Sequence, residues 1–442
     1  MGMSTALLTD RYELTMLDAA LRDGTADRRC VFELFGRRLP GGRRFGVVAG
    51  TGRLLAELAD FRFEEAERAF LRDHRIVSAE TIRFLEDYRF RGTISGYREG
   101  ELYFPGSPIL TVEGSFAEAV ILETLALSIL NHDSAVATAA ARMSIAAGDR
   151  PLAEMGSRRA AERSAVAAAR AAYIAGFSAT SNLEAGRTWG IPTMGTAAHA
   201  WTLLHDTEED AFRSQIDALG TDTTLLVDTY DIRQGVETAI RVAGTGLGGV
   251  RLDSGDLPTV AASVRAQLDE LGATGTRITV TSDLDEFAIA ALAASPVDAY
   301  GVGTSVVTGS GTPTAGMVYK LVARQGADGG WVSVAKASTS KASVGGRKAA
   351  FRTRVDGVAT GEVVAVAAGF DELDTPAAHP DARPLQVALV QHGEADAAHL
   401  GPDGVAAARA HHLRVREELP VTALALSRAD PALPTVYEVS EA

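Results

Sequence analysis

The chain has 442 residues, 46% of them hydrophobic, and carries a formal net charge of −14. That apolar content suffices for a large core and more than one domain, while the acidic balance excludes the broad basic footprint of a nucleic-acid surface. Anionic ligands would have to be met by local cations.

The N-terminal MGMSTALLTD lacks the basic and apolar regions of a signal peptide. The Ala-rich tracts 136–147 and 165–177 are broken by Arg and predict helices rather than membrane spans. A single cysteine, Cys30, excludes an intramolecular disulfide and fits a reducing cytoplasm. Residues 3–131 show short alternating runs such as CVFELFGRRL and RGTISGYREGELYF, with many turn residues, and predict an α+β domain. Ile121 to Arg142 is a long helix candidate.

From Leu152 the pattern changes. Short apolar runs alternate with helical stretches: PLAEMG, FSATSN, IPTMGTAA, TLLVDTYD, GGVRLDS, RITVTSD and DAYGVGT each close an apolar run, and all but the last open directly onto a helical stretch. Strand-then-helix units of this spacing predict parallel strands, closed as a barrel or left open. Polar residues and glycines cluster after each run, at the carboxyl ends of the strands, where α/β barrels place their sites. After Arg352 hairpin-like runs return (GEVVAVAAG, RPLQVALVQHG), and Val405 to Arg416 predicts a closing helix. The expected division is therefore 1–131, 132–352 and 353–442.

The strand exits carry the chemistry. RLDSGD places Arg251 and Asp253 on the same side of a strand, as alternation requires; the plain alternative is a structural ion pair. LLVDTYD offers Asp228 and Asp231 as a hydroxyl or Mg²⁺ site, although Asp231 suits equally a helix cap. GVGTS, with Gly301, Gly303 and Thr304, is a phosphate-cradle candidate in the last βα unit. EMGSRR presents Arg158 and Arg159, one of which, Arg158, is the better candidate for a two-point grip on phosphate or carboxylate. GTAAHAW holds His199 in a run of small residues, with Thr196 offering a hydroxyl and a backbone N–H to an anion. A neutral imidazole is a nucleophile toward phosphorus as well as a proton carrier. Tyr12, in TDRYELTM, is either a core residue or a flat ring for stacking on a heterocycle. The adjacent His411 and His412 read as structural. All four lysines (Lys320, Lys336, Lys341 and Lys348) fall in one region, either a pyrophosphate-handling loop or a solvated face. There is no Walker A sequence and no Cys/His metal cluster.

Taken in order, TDRYELTM, EMGSRRAAE, GTAAHAW, LLVDTYD, GVRLDSGDL and DAYGVGTSV resemble nicotinate phosphoribosyltransferases, from about Leu8 to Arg352. The resemblance implies an irregular TIM-like α/β barrel of the type II phosphoribosyltransferases and a smaller α+β domain in which the chain ends pack together. It implies a cytoplasmic, ATP-coupled enzyme that makes nicotinate mononucleotide from nicotinate and 5-phosphoribosyl diphosphate, with Mg²⁺ and no tightly bound organic cofactor. His199 would be phosphorylated by ATP; Arg251 would lie near the pyridine carboxylate; Asp253 would contact the ribose or its metal, and Asp228 the substrate. Ser343, usually Thr in relatives, would contact the phosphoribosyl diphosphate. Tyr12 would enter the partner's site in a homodimer with composite active sites. Ser282 departs from the Gly or Asn common near this position. A nicotinamide phosphoribosyltransferase is the nearest alternative, but that family reads DFG where this chain has EMG, Glu154 to Gly156. Quinolinate phosphoribosyltransferases lack the ATP-linked histidine, and a catalytically silent ligand-binding relative is the alternative from another class.

Overall fold

The computed structural model describes residues 4–336, 343–367, 379 and 381–439. The chain divides into two compact units, Met1–Thr138 with Thr312–Ala442, and Ala139–Gly311.

The first unit is built on a seven-stranded antiparallel sheet. Its centre is the strand Arg29–Gly36, which pairs with Met317–Gln325 on one side and Leu110–Ser115 on the other. Seven of its eight residues are buried, which suits the continuous apolar run CVFELFG. A second sheet of four strands joins Arg347–Val355, Val358–Ala367 and the C-terminal Thr435–Val439. The expected boundary at Arg352 falls inside a paired strand, so residues 312–352 belong with the chain ends rather than with the barrel.

The helix Glu123–Ala147 starts in this unit. With the turn before it, its span is long and apolar enough to cross a bilayer, but 67% of that window is buried within the fold, as in a core helix. The C-terminal helix Gly401–Arg416 turns both histidines inward. His412 is fully buried and hydrogen-bonds the Gly100 carbonyl at 3.0 Å, and burial pulls its pKa down to about 4. His411 meets Glu101 at 2.9 Å, so the structural reading of the pair holds. Glu101 also accepts from Arg383 at 2.8 Å, and the buried Arg352 bonds Glu362 at 2.6 Å. Burial alone would raise the Glu101 carboxyl; the bonds from His411 and Arg383 and the Arg352 charge overcome it and hold the group well below the usual range. Two of the four lysines are paired with carboxylates, and Lys336 is exposed. Lys348 is buried against Glu33 at 2.8 Å and Lys320 pairs Glu123 at 3.6 Å, while Lys341 lies outside the described residues.

The second unit is the α/β unit. Its six strands are all parallel, in the order Ala179–Thr180, Leu152–Glu154, Ala299–Val302, Arg277–Val280, Gly249–Leu252, Thr224–Leu226. That is the order of a barrel read round its circumference with one seam open. The predicted strand IPTM supplies only a single bridge, Thr193 to Thr180. Pro192 has no N–H to donate and gives only its carbonyl, to Thr180 N. The seam between Thr193 and Thr224–Leu226 carries no ladder among the described residues, which is where the barrel is irregular. Asp231 caps the helix Ile232–Ala243 by accepting from Gln234 N at 2.9 Å, the plainer of its two readings.

Candidate active site

The strand exits of the second unit surround a cavity of about 250 Å³ lined by Met155, Arg158, Arg159, Arg251, Asp253, Thr281, Ser282, Asp283, Gly301, Gly303 and Thr304. These residues come from the carboxyl ends of four different strands and the loops that follow them, as the chain alternation predicts. Gly301 is required by space: a Cβ there would stand 2.6 Å from Thr281 and 2.7 Å from the Met155 sulfur. Gly303 precedes the short helix Thr304–Val307. Both Arg158 and Arg159 are exposed and line the cavity.

Arg251 is mostly buried. Its Nη1 donates to Thr196 Oγ1 at 2.6 Å and to the Ala197 carbonyl at 3.1 Å, and its Nη2 stands 3.8 Å from Asp253 Oδ1. The short bonds therefore run to the histidine loop, and the ion pair with Asp253 is the looser contact. Burial weakens the guanidinium's hold on its proton, and the charges of Asp253 and Asp228 act in the opposite sense. The Thr196 hydroxyl oxygen accepts this bond from Arg251.

Asp228 is buried, and one carboxylate oxygen accepts from Asp253 N and from the Ser254 hydroxyl, each at 2.8 Å. Its other oxygen is buried without a hydrogen-bond partner and lies 3.9 Å from His199 Nε2. Asp253 Oδ2 is 3.8 Å from the same nitrogen, and Asp253 Oδ1 accepts from the Thr281 hydroxyl. On the other edge of the ring, His199 Nδ1 shares a 3.1 Å hydrogen bond with the Thr229 hydroxyl. His199 opens the helix His199–Leu204, with its side chain 39% exposed. An imidazole set between two carboxylates and a hydroxyl, and open to solvent, can take up a phosphoryl group and have its positive charge stabilised.

Thr229, Ser254 and Thr281 hold this arrangement but did not stand out in the sequence, since a hydroxyl residue beside an aspartate is common in any strand-exit loop. Glu154 does not line the cavity; it is Met155 that does. Ser282 has φ +123°, a backbone conformation that strains any side chain, which accounts for the glycine or asparagine expected there. Tyr12 and Ser343 belong to the first unit. Tyr12 is 45% exposed on the helix Arg11–Asp23, with burial first and then Glu123 raising its phenol pKa well above the usual value. Ser343 Oγ accepts from Lys336 N at 3.3 Å.

The fold and the site together define an α/β-barrel protein with an arginine-lined cavity beside a solvent-reachable histidine. Residues 7–131 match the family model for the nicotinate phosphoribosyltransferase (NAPRTase) N-terminal domain. The chain is 56% identical to nicotinate phosphoribosyltransferase pncB1 of Mycobacterium tuberculosis, over 97% of this chain and 94% of that protein. It is 40% identical to nicotinate phosphoribosyltransferase of Bacillus subtilis over 79% of this chain and 73% of that one. The crystal structure of human nicotinic acid phosphoribosyltransferase superposes with a TM-score of 0.79 at 26% identity, covering 98% and 97% of the two chains. The chain belongs to the nicotinate phosphoribosyltransferase family.

Proposed function

We propose that this chain converts nicotinate and 5-phosphoribosyl diphosphate to nicotinate mononucleotide and pyrophosphate, and that it couples the reaction to ATP hydrolysis through a phosphohistidine at His199. The observation that carries the reading is the His199 ring, with Thr229 at 3.1 Å on one nitrogen and Asp228 and Asp253 at 3.9 and 3.8 Å from the other, beside an arginine-lined cavity.

Arg158 and Arg159 bind anionic oxygens of the phosphoribosyl substrate, and the turn Gly301–Thr304 cradles its 5′-phosphate with backbone N–H groups. Arg251 faces the pyridine carboxylate, and Asp253 steadies the positive charge that develops on the ribose ring. His199 accepts the γ-phosphoryl group of ATP; water later cleaves the phosphohistidine, so each cycle releases ADP and phosphate. The two states of His199 differ in affinity for substrate and product, which is how hydrolysis drives the synthesis. The unpartnered Asp228 oxygen and the Asp253 carboxylate fit a Mg²⁺ that takes most of its ligands from water and phosphate. Such an ion would neutralise charge on the departing pyrophosphate.

The exposed Tyr12 supports a homodimer in which that ring stacks on the partner's nicotinate, with Ser343 serving the phosphoribosyl diphosphate. The buried, unpaired Cys30 is in keeping with a cytoplasmic protein.

The test is product formation from 5-phosphoribosyl diphosphate with nicotinate or nicotinamide, each with and without ATP. Product from nicotinate alone, raised by ATP and accompanied by ADP, supports the proposal. Preference for nicotinamide moves the chain's substrate to the amide, and no product from either base removes the catalytic reading.

A further inference from the structure

The loop that carries the two arginines and the loop that carries His199 leave different strands, yet one buried carboxylate touches the supports of both. Glu154 is fully buried. One of its oxygens accepts from the Gly156 N–H and the other from the Thr180 hydroxyl, at 2.6 Å. Gly156 opens the turn Ser157–Arg159, which presents Arg158 and Arg159. A Cβ on Gly156 would stand 3.0 Å from the Glu154 carboxylate, 2.8 Å from the Gly303 carbonyl and 2.3 Å from Val307, so the turn is wedged between the carboxylate and the phosphate-cradle loop.

Thr180 is the other junction. Its carbonyl accepts from Met194 N and its N–H donates to the Pro192 carbonyl, which fixes the extended segment leading into Gly195–His199. Its hydroxyl accepts from Asn182 N at 3.0 Å, and the Asn182 amide donates to Ser157 Oγ at 2.9 Å, closing a ring of bonds back to the arginine turn. Among the described residues no ladder holds the histidine segment on its far side, where the barrel seam is open. The Thr180 junction is therefore its main backbone anchor.

A buried carboxylate with no cation against it is costly, and burial raises the Glu154 pKa, with the Thr180 and Gly156 bonds opposing that rise. Nothing in packing alone calls for an acid there.

We propose that Glu154 is a positioning residue that ties the arginine loop to the histidine loop, so that grip on the phosphoribosyl substrate and phosphorylation of His199 depend on one another. The inference rests on the reading of the site given above. Glu154 touches neither cavity nor imidazole; it acts through Gly156 and Thr180.

The test measures two quantities on Glu154→Ala, Glu154→Gln and Thr180→Val: KM and kcat for 5-phosphoribosyl diphosphate, and the extent of His199 phosphorylation from labelled ATP. Misplacing a binding loop by about 1 Å weakens substrate handling by up to roughly a hundredfold. Glu154→Ala is expected to raise KM by about tenfold or more while kcat at saturation falls much less, and to lower phosphohistidine in parallel. Glu154→Gln keeps an acceptor for Gly156 and turns the Thr180 contact round, its amide N–H donating to Thr180 Oγ1 in place of the carboxylate that accepted from it, and is expected to restore part of both quantities. Thr180→Val removes the second junction without touching the acid and is expected to reproduce both losses. Wild-type values for folded Glu154→Ala or Thr180→Val would overturn the proposal. So would a Glu154→Gln variant as impaired as Glu154→Ala, which would mean the charge itself acts. Absence of both reactions in the unmodified protein would instead be a failure of the functional reading, read before any variant is made.

Discussion

The guanidinium of Arg251 donates to the hydroxyl of Thr196 at 2.6 Å, joining the end of the strand Gly249–Leu252 to the loop that carries His199. Together with the Thr229 bond to His199, this contact spans the side of the barrel that has no backbone ladder among the described residues. Side chains thus close the seam that the backbone leaves open, and the reactive imidazole sits on that closure.

His199→Ala is expected to abolish stimulation by ATP while leaving the fold intact. The ring is 39% exposed and makes one hydrogen bond, so its loss should change stability by about 1 kcal/mol or less. Rates with and without ATP, alongside a thermal melt, check both halves. Retained stimulation would remove the phosphohistidine.

Ser282→Gly should stabilise the protein. The φ of +123° holds about 1–3 kcal/mol of strain that glycine does not feel, against about 0.5–1 kcal/mol of extra chain entropy lost by glycine on folding. A net gain of about 1 kcal/mol is expected from denaturant titration, with no gain from Ser282→Ala, which keeps the strain.

Arg352→Met leaves the Glu362 carboxylate buried without its partner and takes one of the cations away from Glu101. Breaking a buried pair from one side costs about 3–5 kcal/mol. A fall in melting temperature far larger than that from His199→Ala, measured by calorimetry, is the expected result.

Glu208 sets a pH dependence. Burial, then the nearby Asp231 charge, raise its pKa from 4.5 to about 7 in the folded chain. The folded state therefore holds this proton more tightly than the unfolded one, and the stability it contributes is complete below the unfolded pKa and lost as pH rises toward 7. Glu208→Gln should be the more stable form at about pH 8 and lose that advantage by about pH 4. Melting temperatures of the two forms across that range, converging at the alkaline end instead, would contradict the assignment.

Much of this was legible in the chain because local patterns carry it. The period of strand and helix, and the polar residues after each apolar run, place Arg158, Arg251, Asp253 and the Gly301–Thr304 turn on one rim, and the structure gathers them there. What was hidden is long-range. Strands Met317–Gln325, Trp331–Ser333 and Arg347–Val355 follow the barrel's last unit, and only pairing with Arg29–Gly36 assigns Met317–Gln325 to the other unit. IPTM has strand composition, but its proline leaves one bridge in place of a ladder. The role of Thr229 in holding His199, and of Glu154 in facing inward, depends on neighbours about 30 residues away, which periodicity does not report.

The division of the chain bears on how it emerges during synthesis. Ala139–Gly311 is one continuous stretch, and its parallel strands join within it. The strand Arg29–Gly36, made far earlier, cannot find Met317–Gln325 until nearly three hundred further residues have been translated. For that interval the nascent chain presents an apolar strand with one edge unpaired, a template for pairing with another chain. The later-made barrel unit can therefore be complete on the ribosome while the earlier-made sheet is still waiting, and truncation after Gly311 would leave a soluble-sized barrel attached to an aggregation-prone half.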